Sequence, residues 1–189
     1  MTGDPRDAVR FAEKLLALLE EGSFTATYKF AVLLGLIDLC LEDTDRFGEP
    51  PQMVTTTQLA EKVVDLYWRQ TAEFSPGAGV LRQNSGRNAV IVSRIRELRD
   101  RLAADPGAPL HRVRVTAPAA YWRLLAEVEW TLVLMPLPKV QRFGGREDRF
   151  IYEIGWDDDI LYGEWRDTAR FDNRITFVGD AADHLVRLS

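Results

Sequence analysis

Cysteine and histidine are nearly missing from this chain. One cysteine, Cys40, among 189 residues cannot close an internal disulfide, which excludes a disulfide-stapled scaffold and points to a cytoplasmic protein. The two histidines, His111 and His184, have no partner at metal-ligand spacing, so no metal site and no cofactor are expected. No apolar run reaches the roughly 18 residues of a membrane span. The opening Met1-Thr2-Gly3-Asp4-Pro5 lacks the pattern of a signal peptide. A Gly-x-Ser-x-Gly elbow is absent. Gly77-Ala78-Gly79 lacks the Gly-Lys-Ser/Thr ending of a phosphate-binding P-loop, which sets aside a nucleotide hydrolase. There is no internal repeat and no low-complexity tract.

What is present is ordinary in amount and uneven in place. Hydrophobic residues make up 46% and charged residues 28%, enough for a real core in one domain spanning residues 1–189. Net charge is −5, but residues 82–114 carry net +5 between an acidic first part at −6 and an acidic last part at −4. Such a block is a local positive field, and only the local field has to meet a phosphate.

Periodicity and punctuation predict a mainly α, compact helical domain with a small β element near the C-terminus. A first helix runs from Asp7 to Glu20, with Phe11, Leu15, Leu16, Leu18 and Leu19 inward. A second, Thr27 to Leu41, is apolar on nearly all sides and reads as a central core helix. Residues 43–53 read as a loop. Thr55 and Gln58 have the spacing of a capping box for a helix from Thr56 to Trp68. A basic helix follows over about Asn88 to Ala103, its exposed face carrying Arg94, Arg96, Arg99 and Arg101. Another spans Pro118 to Leu134, with Thr116 as its cap and Pro118 in its first turn. Alternation marks strands at Arg149–Ile154 and Arg174–Val178, with Asp172-Asn173 as a turn before the second. Residues 181–188 read as a further helical start.

The stretch from Phe74 to Asn88 is the most informative. Phe74-Ser75-Pro76-Gly77-Ala78-Gly79 is a loop of small residues that lets backbone approach a ligand. Arg82-Gln83-Asn84-Ser85-Gly86-Arg87 follows and leads into the basic helix. Helix-opening amides attract anions, and arginine holds phosphate with a planar fork. The one carboxylate cluster is Asp157-Asp158-Asp159 with Glu164. It reads as an acidic turn or as a Mg²⁺ site of a nuclease. No Asp…Glu-x-Lys core accompanies it, and Lys62 and Lys139 are badly placed for that role.

Four stretches together resemble a known family. They are Phe24-Thr25-Ala26-Thr27-Tyr28-Lys29-Phe30, Gly79-Val80-Leu81-Arg82-Gln83-Asn84-Ser85-Gly86, Tyr152-Glu153-Ile154-Gly155-Trp156-Asp157 and Phe171-Asp172-Asn173-Arg174-Ile175. They resemble the N-terminal region of actinobacterial HNH endonucleases, which is similar to the sulfur-binding domain of McrA-type, phosphorothioate-dependent restriction enzymes. The resemblance covers most of the chain. It implies that Tyr28 and Lys29 open the core helix as an aromatic-plus-basic pair. It also implies a sulfur pocket from Phe74, Pro76, Gly77, Ala78 and Gly79, with phosphate and base contacts from Arg82, Gln83, Asn84, Ser85 and Arg87. Ser75 stands where the family often has tyrosine, so Phe74 or Tyr67 supplies the aromatic wall. The HNH motif itself is missing, so no catalytic residue is assigned and the chain is expected to read DNA without cutting it.

The expected partner is double-stranded DNA with phosphorothioate linkages. Sulfur is larger and a poorer hydrogen-bond acceptor than the oxygen it replaces. An apolar cup strips water from either atom, at a cost of about 1–3 kcal/mol for an oxygen left without a donor. Sulfur loses less, so the cup discriminates by penalising oxygen. Lys29, Arg82 and Arg87 would hold flanking phosphates, and Gln83, Asn84 and Ser85 would reach base edges. The alternatives are a sequence-reading DNA-binding module indifferent to sulfur, a Mg²⁺-dependent nuclease using Asp157–Asp159, and a protein-interaction domain.

Overall fold

The computed structural model describes residues 5–20, 26–71, 90–102, 108–143 and 145–188. Helix α1 is Pro5–Glu20 and α2 is Ala26–Glu42. Strand β1, Met53–Thr55, leads directly into α3, Thr56–Gln70. Helix α4 is Val90–Arg101, α5 is Leu110–Thr116 and α6 is Pro118–Leu134. The short α7, Pro136–Lys139, precedes a two-stranded hairpin of β2, Arg142–Phe143, and β3, Arg146–Glu147. Strand β4 is Tyr152–Ile154, α8 is Tyr162–Arg166, β5 is Arg174–Phe177 and α9 is Ala181–Arg187. The fold is mainly helical with a small sheet, as the sequence predicts.

Helices α3 and α6 form the centre. Leu59, Ala60, Val63, Val64, Tyr67 and Trp68 of α3 are buried, as are Leu124, Leu125, Val128, Leu132 and Val133 of α6. The Thr55–Gln58 capping box forms: the Thr55 hydroxyl accepts from the Gln58 N–H, and the Gln58 side chain accepts from the Thr55 N–H. Two orphan donors of the helix start are thereby satisfied. Beside it the Thr56 and Thr57 hydroxyls donate to the Glu129 carboxylate at 2.5 and 2.9 Å, tying the start of α3 to α6. Helix α2 lies against α3 and also touches α1, α7 and α9. Gly35 makes the α2–α3 approach close, since a Cβ there would lie 2.7 Å from Leu59 Cδ1.

Several expectations need correction. Leu16 does not face inward but is 58% exposed, whereas Phe11 and Leu18 are buried. One residue of helix turns the chain by about 100°, which carries Leu16 off the stripe that Phe11, Leu15 and Leu18 share. Helix α2 is not enclosed on all sides either, for Phe30 and Leu34 are each 46% exposed. Thr116 does not cap α6. It ends α5, its hydroxyl donates to the Arg112 carbonyl at 2.9 Å, and the N-cap position falls on Ala117. Met53, expected to end the loop of residues 43–53, instead opens strand β1, Met53–Thr55. The strand expected at Arg149–Ile154 shortens to Tyr152–Ile154.

The sheet has the order β1-β5-β4 and is antiparallel throughout. Ile175 of β5 is fully buried between Val54 and Ile154 of its neighbours. The edge of β4 is held by a side chain. Buried Gln141 accepts from the Ile151 and Tyr152 N–H groups and donates to the Tyr152 carbonyl at 2.8 Å. Polar backbone inside the fold is thus satisfied. No described helix is long and apolar enough to cross a membrane.

Candidate nucleic-acid interface

The segment expected to read DNA runs from the end of α3 to the start of α4. Phe74, Pro76, Gly77, Ala78, Gly79, Arg82, Gln83, Asn84, Ser85 and Arg87 lie outside the described residues, as does the expected helix start at Asn88. Tyr28 and Lys29 are described, and so are the helices on either side.

Tyr28 sits half-buried on the first turn of α2. Burial raises its phenol above the ordinary range, and the backbone amides of Ile91 and Val90 partly oppose the rise. Those amides are the first two of α4. Tyr28 also adds to the upward push that burial exerts on the Tyr67 phenol of α3. The start of α2, the last turns of α3 and the start of α4 therefore meet around two phenols. Lys29 is adjacent in the chain and only 9% exposed. No carboxylate among the described residues pairs with it.

The four arginines expected on one exposed face of α4 are separated. Arg94 Nη1 lies 3.0 Å from Glu97 and its Nε 3.3 Å from Glu127 of α6. These carboxylates raise its guanidinium further. Arg101 is 3.8 Å from Glu97. Arg96 is half-buried, with its Nε enclosed and lacking a hydrogen-bond partner among the described residues. Arg99 is not on the surface. It is 8% exposed, with its guanidinium 4.1 Å above the Trp68 ring. Its Nε donates to the Thr71 hydroxyl at 3.1 Å and its Nη2 to the Trp68 carbonyl. Burial lowers this guanidinium, though arginine stays charged.

The arrangement around Trp68 was not anticipated from the sequence. Its indole N–H donates to the Ala108 carbonyl at 3.0 Å, and its own carbonyl also accepts from the Thr71 hydroxyl at 3.1 Å. One clue was available. Arg99 lies four residues after Ile95 and eight after Ile91, both fully buried, whereas Arg94 and Arg101 are seven apart on another face. Elsewhere in the basic block, Arg114 stands 3.4 Å from Glu61 and over the Tyr121 and Trp122 rings at 5.4 and 5.5 Å. His111 is exposed.

The acidic turn is occupied by cations of its own chain. Asp158 lies 2.9 Å from Lys139 and 3.6 Å from Arg142, and Asp157 lies 3.5 Å from Arg149. The hydrogen bond from Lys139 holds the Asp158 carboxyl below the usual range. Among the described residues no three His, Cys, Asp or Glu side chains gather as a metal site would require. Lys139, judged badly placed for a nuclease core, is thus the direct partner of that cluster. Burial pushes the Cys40 thiol up to about 12, so its reactive thiolate is disfavoured. His184 packs into the fold, 5.1 Å from Phe11. Comparison with protein-family models, with curated proteins and with solved structures finds no match for this chain.

Proposed function

We propose that this chain is a DNA-binding reader domain for phosphorothioate-modified duplex DNA, acting in a modification-dependent restriction system. One observation carries the reading. Tyr28 adjoins the first amides of α4, and Lys29 follows it in the chain; Arg82, Gln83, Asn84, Ser85 and Arg87 precede that helix in the sequence. An aromatic ring thus meets the amide end of a helix, and the next residue is a lysine that no described carboxylate pairs; a helix start and a lysine both favour an anion. In this reading Pro76, Gly77, Ala78 and Gly79, with Phe74, which lie outside the described residues, would form the cup that tolerates sulfur and penalises a stripped oxygen. Phosphate contacts hold the duplex and the cup supplies the selectivity.

The test is the affinity of the purified chain for one duplex with and without a single sulfur, across a salt series. Preference for the modified duplex is expected, with a Kd ratio of about ten, the equivalent of 1.4 kcal/mol. Lys29→Ala should weaken binding to both duplexes and reduce the slope of log K against log salt by about 0.9, one phosphate contact. Equal affinity for the two duplexes would leave the sulfur-indifferent module as the answer. Absence of binding even at low salt would leave a protein-interaction domain.

A further inference from the structure

The described chain leaves α3 at Thr71 and enters α4 at Val90, and one side chain from the far half of α4 reaches back to the point of departure. We infer that Arg99 is a positioning residue for the reader, fixing the last turn of α3 without touching DNA; this rests on the function proposed above. The last carbonyls of a helix lack intrahelical partners and form the negative end of its dipole. Arg99 satisfies the Trp68 carbonyl with one nitrogen and the Thr71 hydroxyl with another. Its guanidinium plane meanwhile rests 4.1 Å from the centre of the Trp68 ring. Thr71 closes the arrangement by donating to the same carbonyl, and Ala108 holds the indole from the far side.

Burial favours this role over a phosphate contact. Arg99 is 8% exposed, and its partners Trp68 and Thr71 are themselves at least nine-tenths buried. Two fixed hydrogen bonds and a stacked plane define the direction of the helix end. Lysine, a point charge on a flexible stem, cannot reproduce them. The counterpart lies at the other helix, where Tyr28 meets the amides of Val90 and Ile91. Arg99 therefore links α3 and α4, the helices that precede and follow residues 72–89 in the chain, and an error of orientation there would shift the points from which that stretch departs and returns.

The experiment uses the whole chain with Arg99→Lys, Thr71→Val and the double variant, on the matched duplexes with and without sulfur. Arg99→Lys should lower the sulfur-to-oxygen affinity ratio about tenfold toward unity, while the salt slope stays that of the unaltered chain. Thr71→Val removes only a hydroxyl and should produce part of the same loss, with the double variant no worse than Arg99→Lys. Hydrogen exchange of the amides of residues 68–71 should quicken in each, with or without DNA. A salt slope reduced by about 0.9 in Arg99→Lys would make it a phosphate contact and overturn the inference. An unchanged ratio with selective binding by the unaltered chain would overturn it too. Loss of selectivity in the unaltered chain itself would instead defeat the reader assignment on which it rests.

Discussion

The arginines of α4 and the carboxylates after β4 are two dense runs of charge, and the fold treats them differently. Asp157 and Asp158 meet Arg149, Lys139 and Arg142 at the surface. Helix α4 splits its cations. Arg94 and Arg101 face Glu97 and Glu127 in solvent-exposed pairs, while Arg99 is enclosed against Trp68. Exposed pairs contribute about 0–1 kcal/mol each. A polyanion can therefore displace Glu97 from Arg94 at little cost, whereas Arg99 cannot be released without opening the end of α3. A count of charges over residues 82–114 treats these arginines as equals, and their environments do not.

Breaking the enclosed side of the comparison should have the largest effect. Trp68→Ala removes the ring under Arg99 and the indole bond to Ala108, and should cost about 3–5 kcal/mol, as aromatic truncations in cores do. Urea denaturation measures it, and a loss below about 1 kcal/mol would show that Trp68 is not the anchor of this corner. The exposed side sharpens next. Glu97→Gln removes the partner of Arg101 and leaves Arg94 with Glu127 alone, and should shift stability by no more than about 1 kcal/mol. Duplex affinity at low salt should rise about threefold, with a steeper salt dependence. Fluorescence anisotropy reads this, and unchanged affinity would place the outer face of α4 away from DNA.

The smallest effect belongs to the carboxylates. Asp158 is held below the usual range by Lys139 and more weakly by Arg142. A depressed folded value means that its stabilising contribution is present above the ordinary carboxylate pKa and lost as pH falls through the lowered one. Asp158→Asn should therefore flatten the acid side of a plot of Tm against pH and leave the neutral region nearly unchanged. Mg²⁺-dependent nicking by the unaltered chain, abolished in this variant, would revive the nuclease alternative.

Local signals were legible where local chemistry decides. The Thr55–Gln58 capping box and Pro118 in the first turn of α6 appear as expected, and the strand expected at Arg174–Val178 forms over Arg174–Phe177. Strand β1 was not legible, because three residues before a helix become a strand only by pairing with β5, over a hundred residues later. Helix α5 was hidden between Pro109 and Pro118, where the punctuation reads as loop. Of the candidate site, the Tyr28-Lys29 pair and the basic run were visible in sequence. The Arg99–Trp68–Thr71 knot was not, because its members come from two helices and nothing in either strand of text pairs them.

Sequence alone determined that this chain is mainly helical, where its charge concentrates and how α3 begins, because propensity, capping and hydrophobic period act within a few residues. Tertiary structure alone decided which charges remain available to a ligand. Whether an arginine meets solvent, a carboxylate or an indole depends on side chains brought together from distant helices, and burial and distance set that outcome.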